Sequence, residues 1–130
     1  MNLVLDTSIV VDLERGNKET INSIEKLKVN HHGMPIITFV TYFEIFEGIL
    51  KRNVKNKEES LEFLNKFSYL HLTKRTAEIL AELKVKYEKK GISLSMADFL
   101  IVAQVKENNL LLVTRDNHFS DIEEINMVIL

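Results

Sequence analysis

Short apolar runs alternate along the chain with longer segments whose apolar residues recur at helical spacing. The short runs predict strands, because each is bounded by polar or turn-forming residues and is too short for a helix; they cover residues 3–5, 36–39, 68–72, 110–113 and 127–130. The longer segments predict helices: a short one that follows Asp6 and ends near Gly16, and others over 18–29, 41–51, 58–67, 73–90 and 95–108, with a polar turn at 53–57. This alternation predicts an α/β fold whose parallel sheet is covered by helices on both faces.

The predicted helix over 41–51 has an apolar face too wide for an ordinary surface helix. That face spans about 160°, whereas a simple surface helix buries a stripe of roughly 100°. Glu44 and Glu47 lie outside it, and Gly48 lies close to Glu44 around the helix axis, which would leave space beside that carboxylate. A face this wide is enough to serve both the core and a partner subunit.

Composition narrows the class of protein. A chain of 130 residues with 45% hydrophobic and 28% charged residues fits one domain with one buried core. The absence of cysteine excludes disulfides, thiolate zinc sites and a cysteine nucleophile. No apolar run reaches the roughly 18 residues of a membrane span, and the N-terminus lacks the basic region of a signal peptide. We therefore expect a soluble, cytoplasmic protein without a membrane partner.

The net charge of −2 is unusual for a nucleic-acid-binding protein, whose surface is generally basic. The chain has 17 Lys and Arg residues against 19 Asp and Glu residues. If several of the acids bound divalent metal, the basic residues would outnumber the acids that remain, and the site would repel RNA less strongly. The charge is therefore compatible with an RNA substrate but does not itself predict one.

Two aspartates follow predicted strands. Asp6 comes directly after the first strand, and Asp116 lies three residues after Val113. In open parallel sheets ligands bind beyond the carboxyl ends of the strands, which makes both acids candidates for a site. Each also has a structural interpretation, since Asp6 is a good helix N-cap and the sequence around Asp116 is typical of an Asx turn.

Two further acids lie near the beginnings of predicted helices. Asp98 shares a helix face with Ile101 and Val105, where an unpaired carboxylate is costly to desolvate. Ser95 and Asp98 also have the spacing of a helix capping box. Glu44 lies opposite the apolar face of its helix, where an isolated glutamate is ordinarily a solvated surface residue.

The acids become informative when they are considered together. A parallel sheet would allow one crevice to receive all of them: Asp6, Glu44, Asp98 and Asp116. Their mutual repulsion would be relieved by a hard divalent cation such as Mg²⁺ or Mn²⁺, which prefers oxygen ligands. Two such ions can activate a water and stabilise the leaving oxygen of a phosphodiester. The pattern therefore predicts a phosphodiester-cleaving site in which these acids are catalytic and bind metal.

Motifs around these acids have the order and spacing of a known family. They are Leu-Asp-Thr-Ser at 5–8, Glu-Ile-Phe-Glu-Gly at 44–48, Met-Ala-Asp-Phe-Leu-Ile-Val-Ala at 96–103 and Val-Thr-Arg-Asp-Asn-His-Phe at 113–119. Over nearly its whole length the chain resembles the PIN domain family, and within it the VapC-type toxins of bacterial and archaeal toxin–antitoxin pairs. The glycine four residues after Glu44 favours Glu44 over Glu47 as the family's acid. His118 stands where many members carry an aspartate, which leaves a fifth acidic contact open.

The resemblance implies a fold, an activity and partners. The fold would be a PIN-like three-layer α/β/α sandwich with a central, mainly parallel sheet of four to five strands, formed by residues 1–130 as a single PIN domain. The activity would be that of a Mg²⁺- or Mn²⁺-dependent endoribonuclease, the toxin component of a VapBC-type system. The partners would be an RNA substrate, a second copy of the chain in a homodimer, and a cognate VapB-type antitoxin that blocks the active-site groove.

Within this hypothesis the acids are expected to have different roles. Asp6 and Asp98 would be the main metal ligands. Asp116 and Glu44 would complete a second metal site or bind through water. Supporting roles are expected for two hydroxyl residues beside the acids, Thr7 and Thr114.

Two other functions remain open from the sequence. One is a non-catalytic, PIN-like RNA-binding module with a decayed site, although the four acids are intact. The other is phosphoryl transfer to aspartate, which the sequence disfavours. Haloacid-dehalogenase-like phosphatases need a second acid where this chain has Ser8, and receiver domains need a lysine where it has Thr114.

Overall fold

The computed structural model describes residues 1–52 and 54–130. Its strands are β1 (Leu3–Leu5), β2 (Ile36–Ile37), β3 (Ser68–Tyr69), β4 (Leu111–Thr114) and β5 (Asn126–Ile129). Its α-helices are α1 (Thr7–Glu14), α2 (Lys18–Lys28), α3 (Phe39–Lys51), α4 (Lys57–Leu64), α5 (Lys74–Lys89) and α6 (Met96–Glu107). None of the helices in these described ranges is long and apolar enough to cross a membrane.

The strands form one parallel sheet in the order β3-β2-β1-β4-β5. From β1 the chain first builds outward through β2 and β3, and it then returns to add β4 and β5 on the other side of β1. The strand order therefore reverses between β1 and β4, where Leu3 pairs with Leu111 and Leu5 with Val113. Such a switch point leaves a crevice beyond the carboxyl ends of the two strands.

Alternate residues of the strands face two separate hydrophobic layers. On one side Val4 and Leu112 pack with the buried residues of α5 and α6, such as Leu83 and Val102. On the other side, other strand residues pack with the buried residues of α1, α2 and α4. These strand residues are Leu3, Leu5, Ile37, Leu111 and Val113. The period of two along a strand places successive side chains on opposite faces. The predicted three-layer α/β/α sandwich with a central parallel sheet is thus confirmed.

Several predicted boundaries were wrong at the ends of strands. The strand expected over 36–39 ends at Ile37, because the Thr38 side chain accepts a hydrogen bond from the backbone N–H of Thr41 at 3.3 Å and begins α3 at Phe39. The edge strand expected over 68–72 is only Ser68–Tyr69. The fourth strand starts and ends one residue later than predicted, and α4 ends at Leu64 rather than at 67.

The polar turn predicted at 53–57 falls partly outside the described residues, because residue 53 is not described. Residues 54–56 form a 3₁₀ turn that leads into α4. The predicted end of α5 at Gly91 is confirmed, because this glycine has a φ of 75°, the left-handed conformation that often follows a helix.

Candidate active site

Asp6 lies at the switch point between β1 and β4. Its backbone N–H donates to the carbonyl oxygen of Val113 at 3.0 Å, so that the end of β1 is fixed beside the end of β4. Its Oδ1 accepts a hydrogen bond from the backbone N–H of Thr7 at 2.9 Å, at the start of α1. The structural interpretation of Asp6 as a helix cap is therefore correct, but it uses only one of the two carboxylate oxygens.

The second oxygen of Asp6 is held by Thr114. The buried Thr114 hydroxyl donates to Asp6 Oδ2 at 2.7 Å and accepts from the backbone N–H of Asp116 at 3.0 Å. One hydroxyl thus joins the end of β4 to the carboxylate after β1 and to the backbone of a second acid. Thr114 orients Asp6, as a supporting residue would.

Glu44 is joined to the same end of the sheet by Thr7. The Thr7 hydroxyl donates to Glu44 Oε1 at 2.8 Å, and it also lies 3.2 Å from the hydroxyl of the buried Thr41. Glu47, one turn later on α3, points elsewhere and pairs with Lys51 at 3.8 Å. The structure therefore places Glu44, and not Glu47, at the end of the sheet where Asp6 lies. Because α3 begins at Phe39, Glu44 lies deeper in its helix than the predicted start at 41 implied.

Asp98 lies in the first turn of α6. Ser95 caps this helix, and its hydroxyl accepts from the backbone N–H of Asp98 at 3.1 Å. Across the described ranges the Asp98 carboxylate accepts no hydrogen bond from the backbone N–H of Ser95, so only half of the predicted capping box is present. The half-buried carboxylate is consequently available to the space in front of the helix.

The acids line one open cavity of about 520 Å³, which we call the acidic cavity. Its lining comprises Asp6, Thr7, Ser8, Val40, Glu44, Ser95, Ala97, Asp98, Ile101, Arg115 and Asp116. Burial raises the pKa of Asp6 above its ordinary value. Hydrogen bonds from Thr114 and from the backbone of Thr7 act against this rise, whereas the charges of Asp98 and Asp116 add to it. The cavity thus contains a partly buried carboxylate next to like charges.

Asp116 is held locally as well. Its Oδ1 accepts from the backbone N–H of His118 at 2.9 Å, which is the predicted Asx turn. The exposed His118 ring lies within 2.9 Å of Oδ2 of the same carboxylate. The imidazole of His118 therefore contacts the acid two residues earlier in the chain.

The chemistry of the donor set fits a hard divalent cation, although the side chains are not gathered around one. In the part of the chain that the structure describes, no three histidine, aspartate or glutamate side chains lie close enough to hold a metal ion as they stand. The cavity nevertheless offers only oxygen ligands from its four acids. Mg²⁺ keeps several waters and needs only one or two carboxylates from the protein, which an open set of this kind can supply.

Two contacts near this cavity were missed by sequence reasoning. Thr41, a polar residue on the helix that carries Glu44, is fully buried beside Thr7. The guanidinium of Arg115, in the loop after β4, contacts Asp12 at 2.6 Å. Neither contact leaves a local signal in the sequence, because each joins residues that are more than thirty positions apart.

Comparison with known proteins identifies a family for the chain. The sequence model of the PIN domain family matches residues 3–125. Ribonuclease VapC3 of Methanocaldococcus jannaschii is 31% identical over 103 residues, which cover 79% of this chain and 97% of that protein.

Solved structures share the fold over nearly the whole chain. The crystal structure of VapBC2 from Rickettsia felis, bound to a DNA fragment from its promoter, contains a chain that superposes with a TM-score of 0.82 at 23% identity, covering 98% of both chains. A chain of a toxin–antitoxin complex from Klebsiella pneumoniae superposes with a TM-score of 0.77 at 23% identity, covering 98% of this chain and 96% of that one.

Proposed function

The chain belongs to the PIN domain family, and on that premise we propose that it is an endoribonuclease, the toxin of a VapBC-type toxin–antitoxin pair. Residues 1–130 would act as one PIN domain. The observation that carries the proposal is the convergence of Asp6, Glu44, Asp98 and Asp116 on the acidic cavity at the switch point of the sheet. The name of the relative, Ribonuclease VapC3, supports RNA as the substrate.

We propose that these acids bind Mg²⁺ or Mn²⁺. Asp6 and Asp98 would be the main ligands, because the charge of Asp98 raises the pKa of Asp6 more than the charge of Asp116 does. Asp116 and the more exposed Glu44 would bind a second ion directly or through water. When bound, a divalent ion supplies charge neutralisation and activates water for attack on a phosphodiester.

The residues of the chain itself supply orientation. Thr114 holds one oxygen of Asp6 and the backbone of Asp116, so that one hydroxyl links these two acids. Thr7 holds Glu44 to the start of α1. Hydrogen bonds to ligating carboxylates orient them and tune their affinity for metal. Thr7 and Thr114 are therefore proposed as positioning residues.

Partners follow from the same proposal. Two of the similar structures are a VapBC complex and a toxin–antitoxin complex, which supports a VapB-type antitoxin as a partner of this chain. A homodimer is supported by the outer face of α3, where Phe39, Phe43 and Leu50 line an apolar groove of about 350 Å³ with exposed fractions of 37%, 55% and 61%. Exposed apolar surface of this kind marks interaction sites.

Cleavage of RNA tests the proposal. The purified chain would be incubated with a labelled single-stranded RNA and with bulk tRNA, in Mn²⁺, in Mg²⁺ and in EDTA. We expect cleavage only with metal, and a loss of more than about 100-fold in Asp6→Asn, since changes to mere outer-shell partners already cost about 10–100-fold. Glu47→Gln is the matched control on α3 and should cleave normally. Equal cleavage by the wild type and Asp6→Asn would overturn the proposal.

One observation favours a second candidate, a PIN-like RNA-binding module without catalysis. Within the described residues the acids do not form a ready-made metal cluster. Retained RNA binding without cleavage in any of the metals would identify this function.

A further inference from the structure

We propose that Arg115 is the residue that binds a phosphate of the RNA backbone at the acidic cavity, with Asp12 and Thr20 holding its guanidinium in place. The inference rests on the proposed function, because it takes RNA as the ligand of the cavity. It assigns substrate binding to a residue outside the set of acids.

Arg115 is anchored from one end of its guanidinium. Its Nη2 lies 2.6 Å from Asp12 Oδ2, and it also donates to the hydroxyl of Thr20. Thr20 is fully buried and donates in turn to the same Asp12 oxygen at 2.9 Å. The three side chains thus form a closed cluster that joins the loop after β4 to α1 and α2.

The anchor leaves most of the guanidinium unused. Arginine has five N–H donors in a fixed planar fork. Over residues 1–52 and 54–130 the hydrogen bonds of the Arg115 side chain to other residues involve Nη2 alone. The side chain is 41% exposed and lines the acidic cavity. The N–H groups of Nε and Nη1 can therefore donate hydrogen bonds to a ligand that enters the acidic cavity.

The charges that line the acidic cavity favour a phosphate as the ligand of Arg115. Among the described residues Arg115 is the sole Lys or Arg that lines the acidic cavity, whose other charged residues are the four acids. A backbone phosphate brought to such a site is repelled by carboxylates unless cations offset them. The planar fork of arginine suits phosphate oxygens, to which it can make two parallel hydrogen bonds.

Stability alone is a weak explanation for this arrangement. The ion pair of Arg115 with Asp12 is partly exposed, with side-chain exposed fractions of 41% and 21%, and screening by solvent limits what such a pair adds to stability. A guanidinium that is anchored through Nη2 and belongs to a residue lining the cavity instead matches a preorganised contact, which loses less side-chain entropy on binding.

The test is RNA binding in an Asp6→Asn background, which prevents cleavage of the probe. Affinity for a labelled single-stranded RNA would be measured across a series of salt concentrations for Arg115→Ala, Arg115→Lys and the background protein. We expect Arg115→Ala to bind about tenfold more weakly. The magnitude of the slope of log K against log[salt] should fall by about 1, which corresponds to the loss of one phosphate contact. Arg115→Lys should keep the slope but bind less tightly than arginine, because it lacks the fork.

Lys106→Ala is the control for a lost positive charge, because this exposed residue lies in the last turn of α6, at the opposite end of the helix from Asp98. It should leave both the affinity and the slope near those of the background protein. In cleavage assays with Asp6 restored, Arg115→Ala should raise KM more than it lowers kcat.

Two results separate this inference from the proposed function. If the wild type cleaves RNA but Arg115→Ala keeps the salt slope of the Asp6→Asn background and the KM of the wild type, Arg115 is only a structural tie and the inference is overturned. If the wild type does not cleave but binding depends on Arg115 as expected, the inference stands and the ribonuclease proposal fails. If Arg115→Ala does not fold, the KM of Arg115→Lys is the test. A raised KM would support the inference, and an unchanged KM would overturn it.

Discussion

Two half-buried carboxylates of this molecule lie in opposite electrostatic environments. Burial raises the pKa of Asp6, its hydroxyl and backbone donors act against the rise, and neighbouring acids add to it. Burial would also raise the pKa of Glu124, but hydrogen bonds from Tyr87 and Lys86 hold that pKa below its ordinary value. We call the second group the Glu124 cluster. It joins α5 to the segment before β5.

The difference lies in the source of the opposing charge. In the Glu124 cluster the chain provides its own cation, since Lys86 Nζ lies 2.9 Å from the carboxylate. Around Asp6 the donors are neutral and the nearest charges that act on it are acids. The Asp6 carboxylate therefore lacks a positive counter-charge, and a bound cation can supply one. A carboxylate whose pKa is perturbed by burial and by neighbouring charges in a cleft is a candidate for a functional site.

The largest expected effect is the response of the two regions to divalent metal. Mn²⁺ at about 100 times its Kd should stabilise the fold by roughly 2.7 kcal/mol, or roughly 10 °C in Tm, because it supplies the charge that Asp6 and Asp98 lack. Differential scanning fluorimetry in Mn²⁺ and in EDTA would measure the shift.

The Glu124 cluster supplies the control for this effect. Glu124→Gln should lower the Tm in both buffers and keep the shift, whereas Asp6→Asn combined with Asp98→Asn should abolish it. Equal melting of the wild type in Mn²⁺ and in EDTA would show that the difference between the two regions has nothing to do with metal.

The next effect concerns the hydroxyl that orients Asp6. Thr114→Val removes the donor 2.7 Å from Asp6 Oδ2 and also the acceptor of the Asp116 backbone N–H. Affinity for Mn²⁺ and RNA cleavage should fall by about 10–100-fold, as for other outer-shell partners. Thr114→Ser is the matched control, because it keeps the hydroxyl. Titration calorimetry with Mn²⁺ would measure the affinity, and a Thr114→Val protein with unchanged affinity would contradict the positioning role.

The sequence was sufficient to place the acids but not their partners. Asp6 and Asp116 could be assigned to one edge because strands of a parallel sheet end together, and Asp98 because it heads a strongly apolar helix. The apolar residues around Thr38 predict a strand there, and only its hydrogen bond from the backbone N–H of Thr41 reveals the helix start.

Contacts between residues far apart in the sequence could not be predicted from local patterns. Arg115 meets Asp12 and Thr20 only after α1 and α2 have packed beside β4, so no local pattern predicts the contact. The space expected beside Gly48 exists, since an added Cβ there would meet nothing within 4 Å. However, Gly48 is not part of the acidic cavity lining, so the glycine does not serve the site as expected.

A smaller effect is expected from the Glu124 cluster itself. Glu124→Gln weakens hydrogen bonds to a charged acceptor and should lower the free energy of unfolding by about 1–2 kcal/mol at pH 7. Because the folded pKa of Glu124 lies below its ordinary value of 4.5, this stabilisation is present above that pH and is lost as pH falls through the folded pKa. Urea unfolding between pH 3 and pH 7 would measure it.

Glu123→Gln is the matched control for that measurement. Glu123 is the adjacent acid, its side chain is 72% exposed, and it lies 3.9 Å from Lys86. It should change the free energy of unfolding little at any pH. Similar losses for both variants would mean that Glu124 is no better paired than a surface acid.

The smallest expected effect has the opposite sign. Asp6→Asn should stabilise the metal-free protein by about 0.5–1 kcal/mol at pH 8, since replacing an electrostatically destabilised site residue commonly adds stability while removing function. The folded pKa of Asp6 lies above its ordinary value of 3.8. The folded wild type therefore binds more protons than the unfolded chain between these two pKa values, and its stability falls as pH rises through that window.

Asparagine cannot ionise, so the variant should lack this loss, and its advantage over the wild type should shrink as the pH is lowered towards 4. Urea unfolding in EDTA at pH 4, 5 and 8 would measure the difference. Mn²⁺ should reverse the order of the two proteins, because only the wild type gains its counter-charge. If Asp6→Asn were instead less stable in EDTA at pH 8, Asp6 would serve the fold in the same way as Glu124, and the electrostatic distinction between the two regions would not hold.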